Sequence, residues 1–129
     1  MRIRTHTPWL ITLLPLLLAG CAATAPPARD FPAGVRAPSA SELAGLLRGK
    51  SFTFTAGNGV AVRTDYAAEA DGVTAYFSGR SDRGTWRTED GKVCFQFKVI
   101  PSVCNDVRLA GPDMYLRRAN GEVVRVTAR

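Results

Sequence analysis

Histidine is almost absent from this 129-residue chain, and its one copy, His6, lies close to the amino terminus. Histidine is the commonest general base at neutral pH and the commonest ligand of transition metals. The rest of the sequence therefore cannot supply a Ser-His-Asp triad or a histidine-based metal site. We predict a protein that is not an enzyme, with no catalytic residues, no metal site and no cofactor.

The chain also lacks an apolar run long enough to stay in a membrane. Residues 8–18 are apolar but include Pro15, whereas a spanning helix needs roughly 20 apolar residues. Arg2 and Arg4 precede this run and small residues follow it, which is the layout of an export signal. We therefore predict a signal peptide over residues 1–20.

The export signal ends in the tetrapeptide Leu18-Ala19-Gly20-Cys21. At all four positions this tetrapeptide resembles the lipobox of bacterial lipoproteins. The resemblance implies that Cys21 is lipidated and becomes the first residue, and that palmitate or similar chains anchor it, each buried methylene adding about 0.8 kcal/mol. Ala22, rather than Asp, after the cysteine implies a lipoprotein of the outer membrane that faces the periplasm.

Residues 22–38 are rich in alanine and hold four of the chain's 8 prolines. This composition favours extended conformers over a packed core. At about 3.1 Å per residue, such a segment reaches roughly 50 Å. We predict a lipidated tether over residues 21–38 and a single domain over residues 39–129.

Two cysteines lie beyond the tether, Cys94 and Cys104. In an oxidising compartment such a pair usually forms a disulfide, and closing this ring stabilises the fold by about 2.7 kcal/mol on the chain-entropy estimate. The usual supports of a reactive thiol, Cys-x-x-Cys spacing or a histidine partner, are missing. If Phe95 lies opposite Val103 in a hairpin, the two cysteines also face each other and bridge neighbouring strands.

The predicted domain begins with a short helix and continues as strands. Ser39 and Glu42 match a capping box ahead of leucines at helical spacing, which predicts a helix over about residues 40–48. From there apolar residues alternate with a period of two, and one such run continues to Val99. Turn signals separate the runs. We predict a mainly β fold: an antiparallel meander of about seven or eight strands, curled or closed into a barrel.

The segment Gly84-Thr85-Trp86 resembles a Gly-x-Trp hairpin of small secreted β domains, and it is similar to the Gly-x-Trp of lipocalin-like and avidin-like barrels. In lipocalins the motif lies on the first strand, whereas here it falls in mid-domain, so a ligand site cannot be carried over. Trp86 either floors a ligand pocket or fills the end of a barrel core.

The charge of the chain is basic, and arginine dominates it. Loss of Arg2 and Arg4 reduces the 17 basic residues to 15, against 11 acidic ones. Guanidinium groups favour anionic partners, although a plain solvated face accounts for the same composition. Nucleic acid is not an expected partner outside the cytoplasm. The residues assigned to a predicted binding face are Arg63, Tyr76, Arg87, Arg108, Tyr115, Arg117 and Arg125.

Three functions fit these features. The first is a membrane-anchored lipoprotein whose non-enzymatic β domain binds a protein, anionic lipid or glycolipid of the envelope. The second is a calycin-like carrier with a small apolar cavity near Trp86. The third is a hydrolase using carboxylates such as Asp65, Glu69 and Asp71. The preference of turns for acidic residues also explains their presence there. A filled interior favours the first, a cavity of a few hundred Å³ the second, and paired carboxyl groups about 5 to 9 Å apart the third.

Replacing Cys21 with serine removes the thiol that accepts the lipid, and no spanning segment takes its place. We expect C21S to leave the membrane fraction after cell lysis. Membrane partition and globomycin-sensitive processing measure this effect. A variant that is processed and partitions like the unaltered protein contradicts the lipoprotein prediction.

Overall fold

A ring of eight antiparallel strands and one short helix make up the fold. The computed structural model describes Gly20 and residues 26–129, so Cys21 and nearly all of the predicted signal peptide lie outside the described residues. Within them, no helix combines the length and hydropathy needed to cross a bilayer. The elements are α1 (Ala40–Leu47), β1 (Ser51–Thr55), β2 (Ala61–Tyr66), β3 (Gly72–Phe77), β4 (Arg80–Glu89), β5 (Lys92–Phe97), β6 (Val103–Ala110), β7 (Asp113–Arg117) and β8 (Val123–Ala128).

The strands close into a barrel because each pairs with the next along the chain and β8 pairs with β1. The prediction of a mainly β meander is confirmed, and the closed form is the one adopted. Closure pairs every strand on both sides, so the ring has no free edge. The two-residue alternation sends one set of side chains inward, where Phe52, Val93 and Val107 are almost fully buried.

The predicted helix is confirmed, and it covers one end of the barrel. Ser39 Oγ accepts a hydrogen bond from the Glu42 N–H at 3.1 Å, but the Glu42 carboxylate binds Arg36 at 2.6 and 2.9 Å. The capping box is therefore only half formed. Leu43 and Leu47 are buried in the main core cluster, so the helix seals what we call the closed end.

Among the described residues, no helix covers the opposite end of the barrel. The strands β1, β3, β5 and β7 run toward it, and the loops that follow them form its rim. We call it the open end. Its loops are residues 56–60, 78–79, 98–102 and 118–122.

Gly84 allows β4 and β5 to approach each other closely. A Cβ atom at this position would lie 2.0 Å from the carbonyl oxygen of Gln96, a distance that no side chain tolerates. The glycine of the Gly-x-Trp segment therefore has a steric role in the sheet.

The strand predicted to continue to Val99 ends at Phe97. The Asp82 carboxylate accepts hydrogen bonds from the N–H groups of Lys98, Val99 and Ile100 at 3.3, 2.8 and 2.7 Å. These N–H groups are thereby taken from the β ladder. Val99 is 82% exposed instead of continuing the inward alternation, so that part of the strand prediction was wrong.

The N-terminal segment, residues 26–39, lies along the outside of the barrel. Arg36 forms an isolated antiparallel bridge with Leu109, with both N–H to O=C distances at 2.8 Å. Pro38 is almost fully buried, and its carbonyl accepts a 2.8 Å hydrogen bond from Gly91. The sequence predicts a free tether through residue 38. Backbone pairing with the barrel instead fixes this part of the segment, although its composition favours extended conformers.

Cys94 and Cys104 form a disulfide that joins β5 to β6. The two cysteines are directly paired across the strands, and so are Phe95 and Val103. Both the disulfide and its predicted register are confirmed.

Replacing both cysteines with alanine opens a ring whose ends are 10 residues apart in sequence. We expect the free energy of unfolding to fall by about 2.7 kcal/mol, because the unfolded chain regains its loop entropy. Urea unfolding of the double variant beside the oxidised protein measures the loss. Two alkylatable thiols in the native, exported protein would show instead that the bond is not formed.

Candidate functional site

The barrel interior is not filled toward the open end. A cavity of about 440 Å³ lies there, within the range of roughly 300 to 1,000 Å³ typical of small-molecule sites. Its wall comes from inward-facing positions of several strands and from the rim loops, and most of it is apolar. The larger apolar side chains of the wall are Phe52, Phe54, Val60, Val62, Phe77, Phe95, Phe97, Ile100, Val103, Leu116 and Val126.

Tyr66 lies at the end of the cavity nearest the helix, since β2 runs from the open to the closed end. Its ring packs edge-on against Trp86 at 5.2 Å and against Phe52 at 6.0 Å between centroids. Phe95 lies 6.1 Å away on a third side. Aromatic packing therefore holds the Tyr66 ring in one place as the floor of the cavity.

Trp86, the predicted pocket residue, does not line this cavity. It is 3% exposed and belongs to the core cluster that fills the closed end. The Arg48 guanidinium lies 4.9 Å from its ring centroid. Of the two roles that the sequence left open, Trp86 has that of core filler, and Tyr66 takes the place beside the cavity.

Among the polar residues of the cavity wall, two are buried, and they lie in its deeper half. Tyr66 and Asn105 both line the cavity and are 8% and 9% exposed. Burial raises the pKa of the Tyr66 hydroxyl, so that it stays protonated and able to donate. The hydrogen bonds among the described residues include neither the Tyr66 hydroxyl nor the Asn105 amide. Neither group is among the fully buried unpartnered polar atoms, so both face the space of the cavity and are available to a guest molecule.

Both residues escaped the sequence analysis, although the signal was present. Tyr66 is in phase with Val62 and Thr64 on β2, and Asn105 is in phase with Val103 and Val107 on β6. A polar residue in the inward phase of a strand indicates a group that needs a partner inside the barrel.

At the mouth of the cavity, Arg118 is already paired. Its Nη1 lies 2.6 Å from Glu122 Oε2, and the Glu122 side chain is 8% exposed. The guanidinium also lies 5.6 Å from the Phe54 ring centroid. Arg118 is therefore not an unpaired positive charge at the mouth.

The seven residues of the predicted binding face all lie on strands but do not meet on one side. Arg63 and Tyr76 pair across β2 and β3, with the guanidinium 3.9 Å from the tyrosine ring. Arg87 is on β4, beside Glu89 at 3.1 Å. The other four lie on β6, β7 and β8, across the ring from β2 and β3. These four are Arg108, Tyr115, Arg117 and Arg125.

Part of that second group is covered by the chain itself. The guanidinium groups of Arg108 and Arg117 lie 5.3 and 4.6 Å from the ring of Phe31, in the N-terminal segment. Arg117 also contacts Asp106 at 3.4 Å, and Arg125 is paired with Asp113. These arginines contact other segments of the protein and do not form a vacant site for an anion.

The carboxylates considered for hydrolysis lie away from the cavity. Asp65 is paired with Arg63 at 3.1 Å on β2, while Glu69 and Asp71 belong to the closed-end loop between β2 and β3. No carboxylate appears among the residues of the cavity wall. The cavity wall therefore offers the hydrolase hypothesis no carboxyl group.

Glu89 forms a small cluster with the disulfide, its Oε2 lying 3.0 Å from Cys94 Sγ. Both sulfurs of Cys94 and Cys104 are used in the bond, so there is no thiol proton to donate and no thiolate to bind a metal. The contact is therefore a close approach without a ligand role.

A solved NMR structure of a protein from Burkholderia xenovorans is similar to this chain, with a TM-score of 0.47 and 14% sequence identity. The match covers 81% of this chain and 99% of that protein. No protein-family model and no curated protein matches the chain. The candidate site therefore depends on its own geometry.

Replacing Asp82 with asparagine tests the carboxylate that shapes the rim. Hydrogen bonds from Ile100, Val99 and Lys98 hold the pKa of this carboxyl below its usual range. Its contribution to stability is thus present above the unfolded-state value of about 3.9 and is lost as the pH falls through the lower folded-state value. We expect D82N to be less stable at pH 7, with the difference shrinking below about pH 4.

Urea unfolding at several pH values measures this difference, and S81N, on the exposed neighbouring residue, is the control. A D82N defect of constant size from pH 7 into acid would refute the role of the charge.

Proposed function

We propose that the protein is a lipid-anchored, non-enzymatic binder of a small apolar ligand, held inside the barrel. The observation that carries this proposal is the open-ended apolar cavity of about 440 Å³. A barrel interior that side chains do not fill toward the open end supports the calycin-like carrier over a domain that acts through its outer surface alone. Binding of an envelope protein or glycolipid to the outer arginines has less support, because carboxylates and Phe31 occupy several of them.

The apolar wall contributes to the binding free energy in proportion to the apolar area that a guest buries against it. A guest that buries about 300 Å² of apolar surface gains roughly 7 kcal/mol at 25 cal/mol/Å². Loss of translational and rotational freedom offsets at least about 4 kcal/mol of that gain. Hydrophobic burial alone therefore gives weak binding, and directed polar contacts are needed to raise the affinity and select the ligand.

Tyr66 and Asn105 provide those contacts in the deeper half of the cavity. A protonated hydroxyl donates, and an amide both donates and accepts. The ligand class that fits is an apolar body with one neutral group, such as a hydroxyl, carbonyl or amide, that enters first. A carboxylate is less suited because Glu122 already balances Arg118 at the mouth.

Filling the cavity tests the proposal. Ala75 is 5% exposed, lines the cavity and faces inward on β3, whereas the neighbouring Thr74 faces outward. We expect A75F to weaken binding of the neutral fluorescent probe N-phenyl-1-naphthylamine at least about tenfold, a loss of about 1.4 kcal/mol. The matched variant T74F adds the same ring outside and should keep the affinity within about twofold.

Fluorescence titration measures both variants, and circular dichroism checks that each is folded. Equal probe affinity in A75F and T74F would place the probe elsewhere and sink the cavity proposal. Y66F adds a test of polar recognition: it should weaken naphthol about fivefold, for a lost hydrogen bond of about 1 kcal/mol, while naphthalene is unaffected.

A further inference from the structure

The N-terminal segment reaches the barrel at the open end. The carbonyl of Ala28 accepts a hydrogen bond from the Val123 N–H at 2.8 Å, at the start of β8. The guanidinium of Arg29 donates to the carbonyl of Asn120 at 2.9 Å, in the rim loop between β7 and β8. The chain from residue 28 to residue 38 then runs along the wall to the closed end.

Pro27 extends this attachment to a second rim loop. A Cβ atom on Gly57 would lie 2.7 Å from Pro27 Cγ, so the proline ring packs directly on the glycine between β1 and β2. A larger residue at 57 would push the segment away. Two neighbouring rim loops thus hold residues 27–29 at the mouth of the cavity.

This attachment leaves a short connection to the proposed lipid. Five residue steps separate Pro26 from Cys21, and at about 3.5 Å per residue they span at most about 17 Å. A free tether through residue 38 would allow roughly 50 Å. A lipid on Cys21 therefore keeps the open end, rather than the closed end, near the bilayer.

Charge is distributed unequally between the two ends. Arg80 and Lys98 are exposed at the open end, and the one carboxylate in the four rim loops, Glu122, is buried against Arg118. The loops of the closed end carry exposed acids, which are Glu69, Asp71 and Asp90. Asp30, next to Arg29 in the attached segment, is exposed near the open end, so this end presents fewer exposed carboxylates than the closed end and approaches anionic phosphates with less repulsion.

An apolar side chain protrudes from the same rim. Val99 is 82% exposed, next to Lys98, and the backbone hydrogen bonds that the Asp82 carboxylate accepts hold the loop that presents it. Val99 is the large apolar residue with this degree of exposure among the described residues. An apolar tip beside basic groups is the arrangement that suits the boundary between phospholipid head groups and acyl chains.

We propose that the open rim of the barrel contacts an anionic phospholipid bilayer through Val99, Lys98 and Arg80, so that the cavity receives its ligand from the membrane. This inference rests on the lipid anchor of the proposed function. Each basic residue near an anionic surface strengthens binding by only about fivefold. The short connection to the lipid supplies the rest of the membrane affinity, because it keeps the rim at a high local concentration beside the bilayer.

The test uses the lipidated protein in vesicles of phosphatidylcholine and phosphatidylglycerol. An environment-sensitive fluorophore is attached to V99C at the open end or to E69C at the closed end, with the native disulfide left intact. Nitroxide-labelled lipids should quench the label at 99 at least about threefold more than the label at 69. Equal quenching, stronger quenching at 69, or a Cys21 that carries no lipid overturns the proposal.

Charge-reversal variants distinguish an effect of the rim residues from an effect of the protein's net charge. The double variant R80E/K98E should lose the extra quenching at 99, whereas K50E/K92E, with the same change in charge at closed-end positions, should retain it. Loss of quenching in both variants to the same extent would attribute the effect to overall charge and reject the rim.

Probe binding in solution keeps this inference distinct from the cavity proposal. R80E/K98E should bind N-phenyl-1-naphthylamine as the unaltered protein does, because neither residue lines the cavity. Probe binding without preferential quenching at 99 retains the cavity and rejects the orientation. Preferential quenching without probe binding retains the contact with the bilayer and rejects the ligand.

Discussion

Closure of the sheet is the constraint on which the other features depend. An eight-stranded barrel encloses a space only about as wide as the side chains that line it. The helix, with Leu43 and Leu47, fills one end together with Trp86, and the aromatic contacts of Tyr66 complete that packing. Within residues 26–129 no helix covers the other end, so the same closure that buries the core leaves a walled cavity above Tyr66.

The alternation of side chains was readable from the sequence because a strand has a strict period of two. It gave the mainly β fold, and it placed Cys94 opposite Cys104. The same period tells which residues face outward but not where they lie around a ring. Arg63 and Arg117 therefore appeared to share a face, although their strands lie across the barrel from each other.

Other features escaped because they depend on contacts between distant segments. The size of the cavity depends on the summed volumes of side chains from seven strands, and no local sequence pattern indicates that sum. Val99 follows the alternation of β5, yet Asp82, 17 residues earlier, takes its N–H out of the ladder. The N-terminal segment has the composition of a linker, and only its pairing with Leu109 and Val123 shows that it belongs to the folded part.

That segment links the fold to the membrane contact that we propose. Because residues 28–38 follow the barrel wall, the chain that packs beneath the helix at Pro38 emerges at the opposite end, beside the cavity mouth. A longer free tether would let the barrel turn in any direction above a membrane. Docking the segment would give a membrane-anchored barrel a preferred direction, and the pairing with Arg118 neutralises the Glu122 carboxylate of the rim. In that proposed state, backbone hydrogen bonds and one ion pair set the direction of the mouth.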